Sequence, residues 1–313
     1  MTLRTAGDSQ LTVSAVGLGC NNFSRPGTAT ESVAGTRAVL DAALDAGITF
    51  LDTAELYGAG GSEDHIGQAL EGRRDRFVVA TKFGHRAGGV PGSADWGRRG
   101  TASYITKAVE GSLSRLRTDH IDLYQMHTPD DETPIGETLE VLSSLVTAGK
   151  VRFLGNSNFS AEQLREADGV ARELGLPRFV TAQNEYSLLA RGVEAEVLPT
   201  VNALEMGFLP YFPLFNGLLT GKYTRTSGEG RLTRLKPEVL ESVNWDQLEQ
   251  YRAICAEAGV TMLQATFAWL LSRAGVCSVI AGATTPEQVA QNAEAGRTTL
   301  DAAVLDEIDA LFA

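Results

Sequence analysis

VGLGCNNF, residues 16–23, is a short apolar strand that runs straight into glycines. Its reading separates two ways of arranging the chain. An open doubly wound sheet that binds a dinucleotide carries Gly-x-Gly-x-x-Gly in the turn after its first strand. VGLGCNNF offers only half of that pattern, so the alternative, a closed barrel, has to be judged on the rest of the chain. Before the stretch, residues 1–20 read as two short strands around Gly7-Asp8 leading into VGLGC. After it, strand and helix patterns alternate. Helical spacing over Glu31–Ala46 stops at Gly47, then come strand ITFLD, a helix over Ser62–Leu70 and strand FVVATK. A Gly-rich loop, 84–100, precedes a helix over Ala102–Leu116 and strand IDLYQMH. Helix Thr133–Ala148, strand VRFLG, helix Ala161–Leu174, strand RFVTAQ, a helix near Val193–Leu204 and strand GFLPYF continue the series. A long loop, roughly Pro213–Asn244, interrupts it. Helices Trp245–Ala258 and Met262–Arg273, strand CSVIAG, helix Pro286–Ala295 and a last amphipathic helix over Leu300–Leu311 complete it. Eight strand-then-helix units without a linker predict a parallel sheet closed into a (β/α)8 TIM barrel, a single domain over 1–313 with an N-terminal β-hairpin cap and extra C-terminal helices.

Composition bounds the function. A chain of 313 residues with 43% hydrophobic and 21% charged residues can build a large core. No signal peptide and no membrane-length apolar run is visible, and Cys20, Cys255 and Cys277 lack metal-ligand spacing, so free thiols in the cytoplasm are the expectation. A net charge of −12 argues against nucleic acid, which requires clustered Lys and Arg. An anionic ligand would have to be held by local groups working against the overall field.

Barrel enzymes build their sites at the carboxyl ends of the strands. Here the predicted ends are Gly19-Cys20, Asp52 with Tyr57 beyond it, Lys82, His127, Ser157-Asn158, Gln183, Tyr211 and Gly282-Ala283-Thr284. Asp52 and Tyr57 both lie in LDTAELYG, residues 51–58. A phenol near its reference pKa of about 10 is a weak donor at neutral pH; a neighbouring Lys82 ammonium would favour the phenolate. Asp52 would supply the counter-charge if Lys82 is buried, and His127 could hydrogen-bond a carbonyl oxygen. The set makes sense as a general acid under a polarised carbonyl. Each residue also has a plainer use, as a cap, a packed ring, a solvent-seeking Lys or a structural His.

The segments DTAELYG (52–58), TKFG (81–84), DLYQMHTPD (122–130), LGNSNFS (154–160), QNEY (183–186), PYFPLFNGLLTGKY (210–223) and TPEQVAQN (285–292), in this order, resemble the aldo-keto reductases over essentially the whole chain. The resemblance implies an NAD(P)H-dependent oxidoreductase that reduces an aldehyde or ketone. Tyr57 would be the proton donor and Asp52, Lys82 and His127 would complete the tetrad. Ser157, Asn158 and Gln183 would hold the nicotinamide carboxamide, with Tyr211 stacked on the ring and Gly19, Cys20 and Asp52 beside it. Pro213, Leu214, Asn216 and Lys222, with Arg231, would cover the pyrophosphate, and Gly282, Thr284, Gln288 and Asn292 would take the adenosine end. The family often carries a Lys and an Arg facing the 2′-phosphate where this chain has Gly282 and Gln288. That departure weakens the preference for NADPH, but many family branches with this GA-type turn resemble NADPH users, so NADPH is the expected cofactor, with NADH also open.

Phe23, Phe83, Trp96, Tyr186 and Phe215 are expected to line the mouth, suggesting a carbonyl substrate with apolar bulk. Oligomeric state and physiological substrate are not legible. Two other functions fit parts of the pattern. The family also includes potassium-channel β subunits, non-catalytic binding partners on the same barrel. A metal-dependent barrel hydrolase using Asp52 and His127 would need more histidines than the four present.

Overall fold

The structure is a computed structural model that describes residues 1–226, 232–233 and 237–313; the expectation for Arg231 lies outside the described residues. Strands β1 (Leu3–Thr5) and β2 (Thr12–Ser14) form the antiparallel N-terminal hairpin. An eight-stranded parallel sheet follows: β3 (Val16–Gly19), β4 (Phe50–Asp52), β5 (Val78–Phe83), β6 (Ile121–Met126), β7 (Val151–Ser157), β8 (Phe179–Gln183), β9 (Gly207–Phe208) and β10 (Val279–Gly282). The strands neighbour one another in chain order, with β10 beside β3. At the other edge the Phe208 amide donates to Gly275 O and the Cys277 and Ile280 amides donate to Phe208 O and Pro210 O. Those bonds join β9 to the segment entering β10, and the sheet becomes a barrel without a free edge.

Helices α1 (Val33–Ala46), α2 (Gly61–Ala69), α3 (Ala102–Leu116), α4 (Ile135–Thr147), α5 (Ala161–Leu174) and α6 (Val197–Ala203) surround it. They are joined by α7 (Pro237–Glu241), α8 (Trp245–Glu257), α9 (Met262–Ser272), α10 (Pro286–Ala295) and α11 (Ala302–Leu311). Sequence signals set their ends. Ser32 accepts from the Gly35 amide at the start of α1, Gly47 closes it in the left-handed conformation, and Ser160 with Gln163 forms a capping box on α5. Two expectations needed correction. GFLPYF pairs as a ladder only at 207–208, because Pro210 has no N–H to donate, although Leu209 and Tyr211 still bond to Ala182 O and Asn184 O. The helix near 193–204 is a 3₁₀ turn followed by a separate short helix.

Two layers of side chains fill the barrel and set the height of the site. Ala6, Leu11 and Val13 of the hairpin segment pack with Phe50, Ala80, Leu123, Leu209 and Ile280 at the bottom. Alternation by two then lifts Asp52, Lys82 and Gln125 above Phe50, Ala80 and Leu123 on the same inward face. Gly155, opposite Gln125 in the ladder, leaves the room this polar layer needs: a Cβ there would lie 2.3 Å from Thr181 Oγ1 and 3.0 Å from Gln125 Cγ. A separate apolar cluster seals the sheet against the helices. Among the described residues no single helix is long and apolar enough to cross a membrane.

Candidate active site

The polar layer opens into a cleft of about 1450 Å³ at the carboxyl ends of the strands. Lys82 is fully buried, and its Nζ donates to Asp52 Oδ2 at 2.6 Å, to Thr53 O at 2.9 Å and to the Tyr57 hydroxyl at 3.4 Å. The other carboxylate oxygen of Asp52 accepts from Gln183 Nε2 at 2.9 Å and Gln125 Nε2 at 3.3 Å. Asp52 and Lys82 therefore each have partners, as buried ions require. The His127 ring stands edge-on to Tyr57 with centroids 5.8 Å apart. All four residues expected to act together meet in this one place.

The electrostatics differ from the expectation at Tyr57. Burial pushes its phenol above the ordinary value, Lys82 pulls it down and Asp52 pushes it up, and the net direction is upward. The Lys82 effect is real, but desolvation outweighs it. For Lys82, burial acts to lower the ammonium's pKa, yet the Asp52 carboxylate and the Tyr57 oxygen together hold it raised, so it stays charged. Burial, followed by the charges of Lys82 and His85, drives His127 well below the usual imidazole value. His127 is a neutral imidazole, and its Nδ1 is buried without a partner among the described residues. The site thus holds a protonated phenol, a fixed positive charge behind it and a neutral ring at its side.

The remaining predicted residues line the same cleft, Arg231 aside. Gly19 and Cys20 lie at its floor, where burial pushes the Cys20 thiol well up. Ser157, Asn158, Gln183 and Tyr211 form one wall; the Tyr211 hydroxyl donates to Asn158 Oδ1 at 2.8 Å, and Asn158 Nδ2 donates to His127 O at 3.0 Å. Pro213, Leu214, Asn216 and Lys222 continue it. There the backbone takes positive φ at Phe212, Phe215, Asn216 and Gly217, a conformation that costs about 1–3 kcal/mol per non-glycine residue. Asn216 Oδ1 is buried and unpartnered among the described residues. Gly282, Thr284, Gln288 and Asn292 lie at the far end, where Gln288 Oε1 accepts from the Thr284 amide and hydroxyl at the start of α10.

The substrate mouth needed correction. Phe23, Phe83 and Tyr186 are wholly buried in the core, Trp96 packs on Tyr104, and Phe215 packs against the outer core. None of the five lines the cleft. Phe83 ends β5 and alternates with inward-facing Lys82, so strand parity turns it toward the helices; the other four lie outside regular strands, where no periodicity says which way they point. The mouth is lined instead by Arg25, Leu56, His85, Arg86 and Phe212. Sequence reasoning also missed Gln125, although it sits two residues before His127 and so on the same strand face. It missed Glu55, inside the quoted LDTAELYG, which is buried and accepts from the Gly84 amide at 2.8 Å and the Tyr104 hydroxyl at 2.7 Å. Glu55 ties the Tyr57 turn to the end of β5. Among the described residues no three His, Cys, Asp or Glu side chains gather as a metal ion would need.

Residues 15–313 match the sequence model of the Aldo/keto reductase family. The chain belongs to the aldo/keto reductase family. Its relatives include the uncharacterized oxidoreductase YrpG of Bacillus subtilis (strain 168), 37% identical over 98% of this chain and 94% of that protein. The L-glyceraldehyde 3-phosphate reductase of Escherichia coli (strain K12) is 31% identical over 99% of this chain and 92% of its own length. A probable voltage-gated potassium channel subunit beta of Oryza sativa subsp. japonica is 35% identical over 88% and 86%. The chain therefore has both reductases and channel subunits among its kin, and the family alone does not choose between them.

Proposed function

We propose that this protein, acting as one domain over residues 1–313, uses NAD(P)H to reduce a small aldehyde or ketone to the alcohol. The observation that carries the reading is the buried Lys82 ammonium, charged by Asp52 and 3.4 Å from the Tyr57 hydroxyl, behind the Asp52 and Tyr57 side chains that line an open cleft. A donor so placed can protonate a carbonyl oxygen as charge develops on it, and Lys82 offsets the phenolate left behind. His127, neutral beside the phenol, orients that oxygen by a hydrogen bond. Kinship with a reductase of E. coli supports the same chemistry.

The cleft suits a nicotinamide dinucleotide, which supplies the hydride when bound. Ser157, Asn158 and Gln183 would hold the carboxamide, with Tyr211, Gly19, Cys20 and Asp52 around the ring. Pro213, Leu214, Asn216 and Lys222 would cover the pyrophosphate; the strained, glycine-containing turn and the unpartnered Asn216 oxygen favour a ligand there. Gly282, Thr284, Gln288 and Asn292 would take the adenosine end. That end offers amides and hydroxyls but no cation among the described lining residues, and Glu287 already puts a carboxylate on the first turn of α10. Hydrogen bonds with a charged partner are roughly twice as strong as neutral ones, so the 2′-phosphate gains little. Quenching of intrinsic fluorescence should show both cofactors binding, with NADPH favoured by no more than about tenfold, or ~1.4 kcal/mol. A preference of a thousandfold would place a strong phosphate cation near this end.

The directions of these shifts set the pH dependence. A phenol held above its ordinary value is protonated, and so competent as a donor, throughout the neutral range; it is lost only as pH rises past about 10. An imidazole held below its ordinary value stays neutral above about pH 6.5. Reductive kcat/KM should stay level across neutral pH and fall on the alkaline side. A steep fall between neutral and mildly alkaline pH would show that Lys82 outweighs burial at Tyr57.

A further inference from the structure

The order of strands divides the cleft into two arcs. Loops after β7, β8, β9 and β10 carry most of the groups assigned to the cofactor, with Gly19, Cys20 and Asp52 at the ends of β3 and β4 beside the ring. Loops after β3, β4, β5 and β6 form the other arc, around Tyr57 and His127. The second arc is cationic in a chain of net charge −12. Arg25 and Arg86 both line it, whereas the only carboxylates among the described lining residues are Asp52, bound to Lys82, and Glu294 on α10. Many arginines of this protein have carboxylate partners, among them Arg73, Arg74, Arg99, Arg115, Arg178 and Arg191. Neither Arg25 nor Arg86 has one among the described residues.

Arg86 is fixed at the mouth through its backbone and Arg25 through its side chain. The Arg86 amide donates to Thr128 Oγ1 at 3.0 Å, and Arg99 ties that loop down through Gly84 O and Pro129 O, each at 2.9 Å. Thr128 follows His127 directly, and His85, next to Arg86, packs its ring 4.5 Å from that of His127. Arg25 Nη2 donates to Asn21 Oδ1 at 3.3 Å, and Asn21 stands beside the Tyr57 hydroxyl. Two guanidinium groups without carboxylate partners among the described residues therefore line the arc of the cleft that carries the proton donor. A guanidinium fork matches a carboxylate or phosphate geometrically, and local cations are what an acidic protein needs to admit an anion.

We propose that the carbonyl substrate bears an anionic group, a carboxylate or a phosphate, which Arg25 and Arg86 receive at the mouth. This rests on the reductase reading. The test uses NAD(P)H turnover of two matched pairs: glycolaldehyde phosphate against glycolaldehyde, and 4-carboxybenzaldehyde against methyl 4-formylbenzoate. The wild type should favour the charged member of at least one pair by about tenfold or more in kcat/KM, chiefly through KM, and the pair showing it tells phosphate from carboxylate. The preference should shrink at about 1 M salt, where screening acts within ~3 Å. R25Q/R86Q should bring the charged-to-neutral ratio near one, and R25K/R86K should restore part of it. Equal treatment of both members of both pairs by the wild type, or a ratio unchanged in R25Q/R86Q, would overturn the proposal. Turnover of the neutral members in that case leaves the reductase reading standing. If none of the four is turned over while the cofactor binds, the reductase reading itself has failed, and the proposal with it.

Discussion

Tyr57→Phe should cut NAD(P)H-dependent reduction of any aldehyde substrate by about 10²–10⁴-fold, the usual contribution of a positioned general acid, while cofactor affinity stays within about twofold. The substitution removes a single oxygen. The phenylalanine ring fills the same space against His127, and Lys82 keeps its bonds to Asp52 Oδ2 and Thr53 O. Folding and the cofactor arc should be undisturbed, so the loss should appear in kcat with little change in the denaturation midpoint. Retained turnover would remove Tyr57 from the mechanism. A wild type that binds cofactor yet reduces no carbonyl compound would instead favour the role of its channel-subunit relatives.

Strand periodicity explains why this group was legible and its surroundings were not. Asp52, Lys82 and His127 stand at the ends of apolar strands, where alternation by two decides which residues face inward, so their convergence can be inferred from residue types and parity. The layered interior, with Phe50, Ala80 and Leu123 beneath Asp52, Lys82 and Gln125, is that inference in three dimensions. Loops carry no such rule. Phe23 turns into the core while Arg25, only two residues further on, faces the mouth, and nothing in the order of residues states this. The direction of the Tyr57 shift was also out of reach. A sequence can place a cation next to a phenol, but the competing effect is burial, which depends on everything packed around both.

Lys82→Met should be the most destabilising change in the site, at about 3–5 kcal/mol, because it strands a buried carboxylate. Asp52 would keep only the amide donors of Gln125 and Gln183, at 3.3 and 2.9 Å, and lose its 2.6 Å ammonium. Thr53 O and the Tyr57 hydroxyl would lose the same donor. Denaturant titration should show the midpoint moving down with little change in slope, as a loss of stability without a change in exposed surface requires. Adding Asp52→Asn to Lys82→Met should recover at least half of that loss, since the double variant buries no uncompensated charge, and the two effects should be strongly non-additive. Turnover should stay low in both, because neither restores the positive charge behind Tyr57. Recovery of stability without recovery of activity would separate the two roles of Lys82, holding Asp52 in the barrel and offsetting the phenolate. A loss below about 1 kcal/mol for Lys82→Met would mean that the pair is more hydrated than a buried ion pair can be.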